Sequence, residues 1–152
     1  MKFFSKSDKE TMKIGAKFAK TLNGGEVVLL VGDLGSGKTT FVKGVADAVG
    51  VKKVVNSPTF VIMKVYKTEQ MLKRVQHDRP VIKNLVHIDA YRGVDLPELE
   101  NIGAVEYFGR ADSVCFVEWG GFLDKIQSLK FKCQKVVFKN ISENGREIEF
   151  GK

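Results

Sequence analysis

The stretch GDLGSGKTT, residues 32–40, decides the fold. It fits the pattern G-x-x-x-x-G-K-[ST] through Gly32, Gly37, Lys38 and Thr39, and Gly35 adds a glycine inside it. Small residues let successive backbone N–H groups turn inward around an anion. A helix that follows aims its positive dipole end at the same anion. In such a loop Lys38 bridges β- and γ-phosphate oxygens, the Thr39 hydroxyl binds Mg²⁺, and Thr40 adds an α-phosphate contact. The flanks agree. EVVLLVG, residues 26–32, is a short continuous apolar run of the kind a buried parallel strand needs. TTFVKGVADAV, residues 39–49, spaces Phe41, Val45, Ala48 and Val49 for one face of a helix. The loop therefore reads as a phosphate cradle between a buried strand and a helix. On its own it leaves a kinase, a switch, a motor and an auxiliary ATPase all open.

Outward from the loop, SDKE at residues 7–10 has the form of a capping box, with Ser7 accepting from the Glu10 N–H and Glu10 reaching back. The helix it opens carries Met12, Ala16, Phe18 and Ala19 as a rough apolar stripe and stops at Gly24-Gly25. Asn56-Ser57-Pro58 turns into a β-rich segment through Tyr66. Residues 67–83 are polar and basic, with Pro80, and predict a long hairpin loop or surface insertion. NLVHID ends a strand near Asp89, LPELENIGAVEYF predicts a helix with Pro97 near its start, and SVCFVE ends a strand at Glu118. GFLDKIQSL predicts another helix. FKCQKVVFKN and REIEF alternate and predict a closing antiparallel pair across SENG. Strands interleaved with helices give a single α/β domain over residues 1–152, of the P-loop NTPase kind. Its central sheet is mixed and mainly parallel, with antiparallel C-terminal strands.

A chain of 152 residues buries a core without staples. Cys115 and Cys133 form no CxxC or Cys/His cluster, which argues against a disulfide framework or a zinc site. The first residues lack a secretory signal, and no run approaches the roughly 18 apolar residues of a membrane span. Together these predict a cytoplasmic protein. The net charge is +7. Its surplus gathers at Lys64, Lys67, Lys73, Arg74, Arg79 and Lys83 and again at the five lysines of residues 125–139, while Asp95, Glu98, Glu100 and Glu106 form an acidic block. A basic surface can attract RNA or an acidic partner, but no RNA-binding motif accompanies it.

A P-loop enzyme also needs a carboxylate at a neighbouring strand end to hold Mg²⁺ or order water. Asp89 and Glu118 each close an apolar run, at the edge where open α/β sheets bind ligands. No NKxD motif is present, so adenine is favoured over guanine.

The order GDLGSGKTTFVKGVADAVG, NSPTF, HIDAYR, ELENIGAVEYF, FVEW closely resembles the bacterial TsaE family, the small ATPases of tRNA threonylcarbamoyladenosine (t6A) formation. The likeness runs from SDKETMKIG to NGREIEF. It implies that Asp33, Leu34, Gly35, Ser36, Gly37, Lys38, Thr39 and Thr40 form the nucleotide loop. It implies Thr39 and Glu118 as Mg²⁺ ligands, Asp89 as the acid for hydrolysis, and Lys38, Asp89 and Glu118 as the catalytic set. Ser57, Pro58 and Thr59 match a nucleotide-sensing segment with Thr59 near the γ-phosphate, and Thr11 and Arg146 fall on the adenine side. Trp119 follows the acid as in the family. Two departures stand out: residues 67–83 look longer than the family's loop, and Gly120 stands where proline is frequent. His77 and His87 read as a loop and a strand histidine rather than catalytic bases.

The resemblance further implies an ATPase, a monomer when free, that binds the TsaB–TsaD pair and supports its turnover by hydrolysing ATP, meeting tRNA only through that complex. With no certain arginine finger in cis, although Arg92 lies near Asp89, hydrolysis by the chain alone is expected to be slow. Two rivals remain at this point: a small-molecule kinase using residues 67–83 as a lid, and a nucleotide-dependent binding module without hydrolysis.

Overall fold

A computed structural model describes residues 1–58, 61–69, 81–90, 93–118 and 130–151. The elements run β1 Lys2–Ser5, α1 Asp8–Ala19, β2 Glu26–Val31, α2 Lys38–Ala48, β3 Met63–Lys67, β4 Asn84–Asp89, α3 Leu96–Asn101, a 3₁₀ turn Ala104–Tyr107, β5 Ser113–Glu118, β6 Lys132–Asn140 and β7 Arg146–Gly151. They build one seven-stranded sheet in the order β1-β7-β6-β2-β5-β4-β3. The inner four strands, β6, β2, β5 and β4, run parallel. The outer pairings, β1 on β7, β7 on β6 and β3 on β4, are antiparallel.

The sheet is thus mixed, as expected, but antiparallel strands flank both sides of the parallel centre, so they are not confined to the C-terminal pair. Strand β1 was not foreseen: its four residues are too few to show alternation. The β3–β4 pairing agrees with the long-hairpin reading of residues 67–83, and residues 70–80 of that segment lie outside the described residues. So does the helix predicted for GFLDKIQSL.

Burial explains why the central strands read as continuous apolar runs. Val27, Val28, Leu29 and Leu30 of β2 are fully buried, as are Cys115, Phe116 and Val117 of β5, because helices cover both faces. On one face α1 and α2 pack through Ile14, Phe18, Phe41, Val42 and Val45 against Val28, Leu30 and Phe116. On the other, Val94, Leu99, Ala104 and Phe108 cover Val27, Leu29, Val86 and Val117.

Local detail corrects three expectations. At the start of α1 the Glu10 N–H donates to Ser7 Oγ (3.2 Å), but the Glu10 carboxylate accepts from the Lys6 N–H (2.7 Å), so the return bond lands one residue earlier than in a capping box. On α2 the buried face is Phe41, Val42, Val45, Ala46 and Val49, and Ala48 is exposed. The single helix predicted for LPELENIGAVEYF breaks in two, because Gly103 takes a left-handed φ of 76° between α3 and the 3₁₀ turn. A full capping box, Asp95 with Glu98, opens α3.

Helices α1 and α2 lie close enough that glycines are needed at their contact. A methyl group on Gly44 would overlap the Met12 carbonyl oxygen and come within 2.6 Å of its Cα, and one on Gly15 would overlap the Phe41 carbonyl. This close approach holds α2, which the loop enters, tightly against α1.

Candidate functional site

The loop leaves β2 at Gly32 and enters α2 at Lys38. Gly35 (φ 75°) and Gly37 (φ 99°) hold left-handed conformations that other residues rarely adopt. Gly37 is the N-cap of α2 and has no side chain to cap it, so the first N–H groups of the helix have no partner of their own on the helix. They stand at its positive end.

The loop forms one wall of a cleft of about 860 Å³. Leu34, Gly35, Gly37, Lys38, Thr39 and Thr40 line that wall. Ser57, Pro58, Asp89, Glu98 and Glu118 line the cleft too, as do Arg146 and Asp8.

Sheet register brings the two acids together. Asp89 ends β4 and Glu118 ends β5, and the two are directly paired across the parallel ladder. Glu118 also pairs with Leu30, one residue before the end of β2. The carboxyl ends of three adjacent parallel strands thus deliver the loop and both acids to one edge. Backbone bonds pin the acids: Asp89 N–H donates to Ile62 O (2.9 Å), and Ala90 N–H donates to Glu118 O (3.0 Å).

The side chains interlock. Thr39 Oγ1 donates to Glu118 Oε1 at 3.0 Å. The Ser57 hydroxyl donates to Asp89 Oδ2 at 3.5 Å. Lys38 is buried, and its Nζ donates to the Gly32 and Asp33 carbonyls at 2.7 and 2.8 Å. Burial pulls the Lys38 ammonium below the ordinary lysine range, while the carboxylates of Glu118, Asp89 and Asp33 act against that shift. Arg146 Nη2 pairs with Asp8 at 3.2 Å. Its guanidinium presses on the loop, since a methyl on Gly37 would overlap it.

Of the residues expected at the site, the fold gathers Leu34, Gly35, Gly37, Lys38, Thr39, Thr40, Asp89, Glu118 and Arg146 around this cleft. Asp33 contributes its carbonyl. Ser36 is buried within the loop, its Oγ without a partner among the described residues. Thr11 is the exception. It does not line the cleft: it is fully buried, and its hydroxyl meets Ser5 Oγ (2.8 Å) and Ser7 O (3.2 Å), joining β1 to the start of α1. A threonine at a helix start can serve the backbone or a ligand, and here the backbone claims it. Thr59, Trp119, Arg92 and His77 lie outside the described residues.

Sequence reasoning did not assign Asp8, Val61, Ile62, Val94 and Glu98 to the site, although they line the cleft. It also missed the contact between His87 Nε2 and Glu118 Oε1, at 2.7 Å. Its signal was the i, i+2 spacing of His87 and Asp89, which puts both on one face of a strand.

The donors suit a hard cation. A threonine hydroxyl beside a carboxylate, with a second carboxylate abreast, is an oxygen set of the kind Mg²⁺ takes together with substrate phosphates. Among the described residues no group of three or more His, Cys, Asp or Glu side chains could hold a metal by itself.

A family model described as "Threonylcarbamoyl adenosine biosynthesis protein TsaE" matches residues 5–148. The chain belongs to the TsaE family. Every cleft-lining residue falls within the matched span. The tRNA threonylcarbamoyladenosine biosynthesis protein TsaE of Bacillus subtilis is 39% identical over 142 residues, 93% of this chain and 77% of that protein. The protein of the same name from Treponema pallidum is 37% identical over 121 residues, 79% of this chain and 78% of its own. A crystal structure of Bacillus subtilis YdiB superposes with a TM-score of 0.68 at 30% identity, covering 99% of this chain and 83% of that one. The TsaE assignment therefore rests on sequence and on fold. No helix among the described residues is long and apolar enough to cross a membrane.

Proposed function

We propose that this chain is a Mg²⁺-dependent ATPase of tRNA threonylcarbamoyladenosine formation, acting on the TsaB–TsaD complex and not on the tRNA base itself. The observation that carries the reading is the meeting of Thr39, Glu118 and Asp89 at the rim of a glycine loop whose helix N-terminus opens on the same cleft. Family membership supports the pathway.

Residue roles follow from chemistry. The N–H groups of the loop and of the first turn of α2 hold phosphate oxygens. Lys38, already in the loop, exchanges carbonyl partners for phosphate oxygens and neutralises their charge. Thr39 and Glu118 would hold Mg²⁺. The ion, when bound, screens the phosphate oxygens from the carboxylates and withdraws charge from the group being released. Asp89 accepts a hydrogen bond from the attacking water and sets its line of approach, and Ser57 beside it links that acid to the NSPTF segment. Leu34 and Arg146 line the same cleft, Arg146 toward the adenine side.

The test is phosphate release from ATP by the chain alone and with TsaB–TsaD, together with t6A formation followed over many turnovers. The reading expects slow hydrolysis alone, stimulation by the pair, and t6A formation that stalls after few turnovers without this chain. Lys38→Ala should abolish productive nucleotide use, and Glu118→Ala should weaken Mg²⁺-dependent turnover more than metal-free nucleotide binding. Hydrolysis that is fast alone and indifferent to the partners, or normal in both variants, refutes it. Phosphoryl transfer to a small acceptor would point to a kinase instead.

A further inference from the structure

The Glu118 carboxylate is buried, with 3% of the residue exposed, and its Oε1 accepts two hydrogen bonds: from Thr39 Oγ1 at 3.0 Å and from His87 Nε2 at 2.7 Å. Oε1 already stands as the acceptor for Thr39, and as an acceptor it calls for the hydrogen on Nε2. His87 is fully buried, and its Nδ1 has no partner among the described residues. A hydrogen placed on Nδ1 instead would be a buried donor with nothing to bond, which is costly. Both facts put the ring hydrogen on Nε2, facing Glu118. Backbone geometry fixes where that ring sits: His87 stands opposite Phe116 in the β4–β5 ladder, two residues before Asp89, so it lies diagonally behind Glu118.

We propose that His87 is a positioning residue that sets the rotamer of Glu118, and through it the orientation of the Thr39 hydroxyl. Resting on the Mg²⁺-nucleotide reading above, it deepens that reading. With the His87 N–H and the Thr39 O–H both spent on Oε1, the other carboxylate oxygen is the one presented to the cleft, and the threonine lone pairs are turned away from Glu118. His87 thereby pre-forms the protein half of a cation site without touching the cation. Partners of this kind, behind a metal-binding side chain, commonly change metal affinity by about 10- to 100-fold.

The test compares three variants of the full chain. Gln places its amide nitrogen near the position of Nε2, Asn places it near Nδ1, and Phe keeps the volume but has no donor. Binding of a fluorescent ATP analogue is measured in EDTA and across a Mg²⁺ titration, with circular dichroism to check folding. The proposal expects His87→Phe and His87→Asn to raise the Mg²⁺ midpoint about tenfold or more, with EDTA binding within about twofold of wild type, and His87→Gln to restore the midpoint. If His87→Phe does not fold, the contrast between Asn and Gln decides alone. A ¹⁵N spectrum of the two-histidine chain should show the His87 hydrogen on Nε2 in the absence of any metal. Unchanged Mg²⁺ midpoints in folded Phe or Asn variants, a parallel loss of EDTA binding, or hydrogen on Nδ1 overturns the role of His87 while leaving the ATPase reading intact. Wild-type protein that binds the analogue without any response to Mg²⁺ overturns both.

Discussion

Substituting the two left-handed glycines of the loop separates backbone cost from side-chain crowding. Gly35 and Gly37 both have φ in the left-handed region, at 75° and 99°. Alanine at either pays roughly 1–2 kcal/mol for that conformation. Their surroundings differ. Nothing lies within 4 Å of a methyl on Gly35, whereas a methyl on Gly37 overlaps the Arg146 guanidinium and comes within 3.1 Å of its Cδ. Arg146 must then shift, giving up packing worth about 1–3 kcal/mol. Its ion pair with Asp8 adds little, because Asp8 is largely exposed and such pairs are worth about 0–1 kcal/mol. Gly35→Ala should therefore cost about 1–2 kcal/mol and Gly37→Ala about 2–5 kcal/mol. At about 2–4 °C per kcal/mol for a chain of this size, thermal melts without nucleotide should show Gly37→Ala losing about twice as many degrees. Adding Arg146→Ala to Gly37→Ala should return the excess, a coupling read from a double-mutant cycle. Equal melting losses for the two glycine variants, or additivity with Arg146→Ala, would refute the idea that Arg146 is pressed against the loop.

Gly44→Ala should destabilise the chain by about 1–3 kcal/mol in urea titrations, because α1 and α2 must part to admit the methyl; a loss under about 0.5 kcal/mol would contradict the close contact. Lys38 predicts a pH effect. Its folded pKa lies below the 10.5 of the unfolded chain, chiefly through burial. The unfolded state therefore binds more protons between those two values, and this group makes stability rise with pH there. Buried Cys115 and half-buried Cys133, whose thiols are pushed up by burial, act the opposite way above pH 9, so the quantity to measure is wild type minus Lys38→Met; a difference that stays flat up to pH 10.5 rejects the buried ammonium. Thr39→Val keeps the shape of the side chain but removes the donor to Glu118; Mg²⁺-dependent ATP binding should fall about tenfold or more while EDTA binding holds, and equal losses in both would place Thr39 on the phosphate alone.

The parts of the fold legible in the sequence were those whose physics is local. Residues 26–31 declared a buried strand because both their faces are covered. The loop declared itself through glycines that must take positive φ. Asp89 and Glu118 were visible as acids that stop apolar runs, although only the sheet register shows that they stand side by side. What stayed hidden depends on distant partners. Strand β1 is four residues that become a strand only against β7, about 145 positions away. Thr11 looked available for a ligand until Ser5 was placed beside it. His87 looked like an ordinary strand histidine, since its importance comes from a carboxylate 31 residues later. The break at Gly103 was masked by an apolar pattern that continues across it.

The position of β2 in the sheet has a consequence for synthesis on the ribosome. The strand that carries the loop is complete by residue 31, yet its two neighbours are residues 113–118 and 132–140. A nascent chain of about 110 residues holds the whole glycine motif with no sheet on either side of it, and closing pairings of such separation is slow. The cleft can therefore be completed only after most of the chain has emerged. On the proposed reading, nucleotide can neither seed nor reward folding early in translation, and a truncated product would carry the glycine motif without a closed cleft to hold ATP.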